Sequence, residues 1–182
     1  MSLISAMNPT APITTEAEAQ AAARSSAIAI GIGVIYGVIG VIITYATMAS
    51  LKAAATAAAA AQSTAGGPDT AMIANAAIQG ALWMGIGLVI IQAILAFVQW
   101  RRPNKVIAII FLALIALGVV SLIFTVVMAN SGALPSTSPA TPIWQVLFGL
   151  VVMAVEAVLH VAGLRGIGKL DKIQLEAANS AY

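Results

Sequence analysis

Apolar residues fill four long blocks of this chain, and polar residues collect between and beyond them. The blocks cover residues 27–50, 75–100, 106–128 and 143–164. Each reaches the roughly 20 residues that a helix needs to cross a hydrocarbon core. The first two blocks are separated by Gly66-Gly67-Pro68, the next two by Arg101-Arg102-Pro103-Asn104-Lys105, and the last two by a Ser/Pro-rich stretch from Asn130 to Pro142, so each separator holds a helix breaker. Backbone groups in lipid have to be satisfied internally, which leaves the helix as the element for these blocks. The pattern predicts an all-α membrane protein with four transmembrane helices in a bundle. An N-terminal segment (1–25) precedes the membrane domain (26–164), and a tail (165–182) follows it.

Two flanking regions refine this picture. Residues 1–13 look disordered, after which Thr15 and Glu18 have the spacing of a capping box and residues 16–23 read as a short helical lead-in. Beyond the first block, the run from Lys52 to Ala61 contains no breaker and is mostly alanine, the best helix former. The first helix is therefore expected to extend to about Gln62, longer than the membrane is thick. The tail alternates Lys169, Asp171, Lys172 and Glu176 with Leu170, Ile173 and Leu175, an amphipathic pattern suited to a membrane surface or a partner.

Charge supplies an orientation. Of the eight lysines and arginines, Arg24 precedes the first block, Arg101, Arg102 and Lys105 lie between the second and third, and Arg165, Lys169 and Lys172 follow the fourth. Lys52 alone falls on the opposite side. Short basic loops stay cytoplasmic, so both termini are expected inside. Trp100 and Trp144 stand at block ends, as interfacial aromatics do. Composition agrees: 61% of the residues are hydrophobic and 8% charged, against about 25% charged in a soluble domain. The absence of cysteine excludes disulfides, thiolate metal sites and a cysteine nucleophile. The opening nonapeptide has no basic region ahead of an apolar core, so no cleavable signal peptide is expected.

The candidate chemistry lies mainly in the last block. Glu156 and His160 are four residues apart and share a helix face, and an ionisable residue within a span is a functional hypothesis by default. Counting about 1.5 Å per residue from the block ends puts Tyr36, Gln92 and Glu156 at one depth. These residues, with His160 one turn nearer the cytoplasm, form a candidate polar cluster. One reading is a proton or cation relay with Glu156 as carrier and His160 as exchange group; the other is a set of interhelical hydrogen bonds that holds the helices together. His160 could also ligate a haem or chlorophyll, although a single histidine cannot form a bis-histidine site; no cofactor or metal is expected.

Gly33, Gly37 and Gly40 offer close helix packing through a small-xxx-small pattern. Arg101, Arg102 and Lys105 set topology or contact lipid headgroups. No nucleophile with its base, no metal-ligand cluster and no sizeable soluble domain supports an enzyme, and nothing points to nucleic acid. The expected function is that of a non-catalytic accessory, assembly or stabilising subunit of a larger membrane complex. Its expected partners are other integral membrane subunits or itself, together with membrane lipids. The alternative is a small homo-oligomeric proton- or cation-coupled transporter or channel using Glu156. A bacterial inner membrane is the expected location.

Overall fold

A computed structural model describes residues 3–62, 70–131 and 143–180. The Gly66-Gly67-Pro68 connection and nearly all of the Ser/Pro-rich stretch lie outside the described residues. Among those described, all regular structure is helical: α1 (Leu3–Ala6), α2 (Glu16–Ala23), α3 (Ser25–Gln62), α4 (Thr70–Arg101), α5 (Lys105–Asn130) and α6 (Ile143–Asn179). Four of these helices, α3 to α6, contain stretches long and apolar enough to cross a membrane.

The helix boundaries follow local chemistry. Thr15 Oγ1 accepts the Glu18 backbone N–H at 3.3 Å, and the Glu18 carboxylate accepts the N–H of Thr15 at 3.1 Å, closing the expected capping box on α2. Only Arg24, itself in helical conformation, separates α2 from α3. The 38 residues of α3 make a rod of about 57 Å, nearly twice the hydrocarbon thickness. α6 is also longer than its apolar block. It continues through Leu164 and Gly166 to Asn179 without a break, so the amphipathic tail is a direct extension of the last long helix.

The chain forms two compact units, residues 1–33 with 92–182, and residues 34–91. In the first, α6 packs along α2 and α5, and α1 packs on α2. Its buried centre is made of small residues: Ala19, Ala22 and Ala23 of α2, Ser25, Ser26, Ala27 and Ala29 of α3, and Ala162, Gly163 and Gly166 of α6. Ile30, Ala108, Phe111, Leu159 and Ile167 complete it. In the second unit, parts of α3 and α4 meet where a β-carbon at Gly85 would stand 3.4 Å from Val41 Cγ2.

On all four long helices, large apolar side chains face outward, among them Ile42, Ile94, Leu117, Phe124 and Val151. Such exposure of helices apolar on every side suits lipid contact.

One expectation is corrected. Residues 3–11 are ordered, with Ala6 of α1 buried, the Thr10 backbone N–H and hydroxyl both donating to Asn8 Oδ1, and Arg165 donating to the Ala11 carbonyl at 3.3 Å. The short apolar helix α1 has the alanine-rich flank of α2 to pack on, a contact the local composition does not reveal.

Candidate functional site

Glu156, on α6, lies beside Gly33 of α3. A β-carbon at Gly33 would stand 3.0 Å from Glu156 Oε1 and 3.9 Å from Gln92 Oε1. The missing side chain thus leaves a notch that the carboxylate and the α4 amide both border. Glu156 and Gln92 are both half-buried. Gly33, Gln92 and Glu156 belong to the first compact unit, whereas Tyr36 belongs to the second and is 38% exposed.

His160, one turn along α6, faces a different environment. It is 1% exposed, and its Nδ1 is 2.8 Å from Ser26 Oγ of α3. Its ring is stacked on Phe111 of α5 at 5.6 Å between centroids and 20° between planes. His160 therefore ties three helices together. Its Nε2 is buried without a hydrogen-bond partner among the described residues. A haem or chlorophyll does not fit this arrangement, because a macrocycle on Nε2 needs an open flank and this ring is enclosed. Among the described residues, no three His, Asp or Glu side chains gather as a metal site requires.

Among the described glycines, the tightest contacts belong to two that the sequence pattern did not single out. A β-carbon at Gly166 would fall 2.3 Å from the backbone nitrogen of Ala23 and 2.8 Å from the carbonyl oxygen of Ala19. One at Gly163 would fall 2.6 Å from Ser26 Cβ. The signal was present as Gly163-x-x-Gly166 facing the small residues Ala19, Ala22, Ala23 and Ser26, a small-xxx-small logic spread over two helices. Of the three glycines predicted for packing, Gly33 accommodates Glu156 and Gly37 is half-buried. Gly40 is exposed, with nothing within 4 Å of a β-carbon.

At the basic connection, Gln99 is fully buried and closes the turn with both ends of its amide. Nε2 donates to the Asn104 carbonyl at 3.1 Å, and Oε1 accepts the Asn104 N–H at 3.0 Å. Asn104 Oδ1 in turn accepts the Val106 N–H at 2.8 Å, capping α5. Of the three cations predicted to set topology or meet lipid, Lys105 is paired with Asp171 of α6. Arg101 lies over Phe97, and Arg102 is exposed. A fourth cation, Arg24, joins them by lying over the Trp100 ring.

No protein-family model, curated protein or solved structure matches the chain.

Proposed function

We propose that this chain is a non-catalytic integral membrane subunit that supports the assembly or stability of a larger membrane complex. Its four long helices span the membrane as a bundle with both termini cytoplasmic, and a bacterial inner membrane suits the composition. One observation carries the reading: several polar groups near the span ends serve packing. His160 is held by Ser26 and Phe111, and Gln99 closes its own turn. What remains on the spans is a broad apolar surface that lipid or other spans can cover. The distribution of lysine and arginine supports the orientation.

The test is gentle extraction of the native protein followed by size-exclusion chromatography and mass spectrometry. Co-migration with a stoichiometric set of other membrane proteins is the expected result. A homogeneous homo-oligomer without partners refutes the proposal. Orientation is checked separately, since a chain without cysteine lets one introduced thiol report its own side. Ser180→Cys is expected to react with an impermeant maleimide only from the cytoplasm, and Thr56→Cys only from the opposite face.

A second reading, proton- or cation-coupled transport by a homo-oligomer, is favoured by the Glu156 carboxylate and the Gln92 amide at the Gly33 notch. An intramembrane carboxylate of this kind marks ion pathways in many membrane proteins. Under this reading Glu156→Gln abolishes proton-coupled flux in liposomes. Under the subunit reading the same variant still joins the complex, and the purified chain carries no flux to lose.

A further inference from the structure

We propose that Arg24 and Arg101, resting on neighbouring aromatic rings of α4, form a binding site for the phosphate of an anionic phospholipid. Phe97 and Trp100 are three residues apart and so adjoin on the surface of the last turns of α4. The Arg101 guanidinium lies 5.3 Å from the Phe97 ring centroid, and that of Arg24 lies 5.2 Å from the Trp100 centroid. A guanidinium on a ring face is held by the π-electrons while its N–H donors point outward in its own plane. Two such cations, held on rings three residues apart on one helix, each offer a forked set of donors, the geometry that matches phosphate oxygens.

Two further observations point to a ligand. Among the described residues neither arginine forms a salt bridge; the acid near the turn, Asp171, is engaged by Lys105. The two rings are 61% and 39% exposed, so the site opens outward at the end of an apolar span. Headgroups and interfacial aromatics meet at that level of a membrane. The site differs from a diffuse basic loop, because it draws in Arg24 from the junction of α2 and α3 and leaves out Lys105. It does not depend on the subunit reading.

The test uses the full chain in phosphatidylcholine nanodiscs with a minor fraction of phosphatidylglycerol, followed by detergent exchange and native mass spectrometry of retained lipid. Retained phosphatidylglycerol is expected on the unmodified protein. Arg24→Gln with Arg101→Gln is expected to weaken retention roughly 25-fold, at about fivefold per cation. Arg102→Gln with Lys105→Gln is expected to change it by less than about twofold, because neither group belongs to the site. Phe97→Leu with Trp100→Leu keeps every charge and is expected to lose retention by removing the platform. It also decides the matter if the glutamine variant fails to assemble. Equal losses from the two charge pairs would mean diffuse surface attraction and overturn the site, as would full retention in the leucine variant. Displacement by inorganic phosphate at the lipid's own concentration would reassign the site to a free anion and overturn the lipid assignment.

Discussion

Replacing Gly166 by alanine tests whether the seam between α2 and α6 holds the first unit together. The added carbon would lie 2.3 Å from Ala23 N, 2.6 Å from Ala22 C and 2.8 Å from Ala19 O, against 3.4 Å for ordinary contact. All three obstacles are backbone, so no side chain can turn aside and the two helices have to separate by about 1 Å. A gap of that size forfeits roughly a quarter to a half of each dispersion contact along the seam. Overpacking costs typically about 1–3 kcal/mol, and a backbone obstacle puts this substitution at the upper end. Alanine's better helix propensity returns about 1 kcal/mol, for a net loss of about 2 kcal/mol.

Gly168, two residues along, is the control. Nothing lies within 4 Å of its β-carbon position, so Gly168→Ala is expected to gain up to about 1 kcal/mol. At about 2–4 °C per kcal/mol for a chain of this size, the two variants should differ by roughly 6–12 °C. The assay is the monodisperse fraction on size-exclusion chromatography after heating in one detergent at one scan rate, since such unfolding is often irreversible. Gly166→Ala melting at or above Gly168→Ala would refute the close-contact argument.

Three further outcomes follow from the same geometry. Ser26→Ala leaves both ring nitrogens of a buried His160 without a side-chain partner and should cost about 1–3 kcal/mol, whereas Ser26→Ala combined with His160→Leu should recover much of it; a double-mutant thermal cycle reads the difference. Gln99→Ala removes the two bonds that close the basic turn and should speed trypsin cleavage after Arg101 several-fold; unchanged digestion would show that Asn104 and the helix ends hold the turn without it. Gly33→Ala meets the end of a flexible carboxylate at 3.0 Å rather than backbone, so its melting temperature should stay within a few degrees of the unmodified protein, in contrast to Gly166→Ala.

The four apolar blocks, the capping box at Thr15 and the extension of the first helix past Ser50 were legible in the sequence, because each follows from local rules. Length and apolarity decide a span, a side-chain oxygen three residues from an N–H decides a cap, and an alanine run without a breaker decides a helix. Depth counting put Gln92 and Glu156 at one level, and the tertiary structure places both at Gly33. The same counting could not say that His160 faces Ser26 and Phe111. Depth along a helix is a one-dimensional quantity, and which way a face turns depends on the neighbours it packs against.

For the same reason the close-packing role fell to Gly163 and Gly166, whose value lies in the backbone on the other side, that of Ser26 in α3 for Gly163 and of α2 for Gly166. Likewise, Arg24 and Trp100 are far apart along the chain and share a surface only once the α2–α3 junction stands beside the end of α4. Local composition determines which segments become helices and where they start. Only the docking of those helices decides which polar group is buried, which glycine is indispensable and which cations stand together.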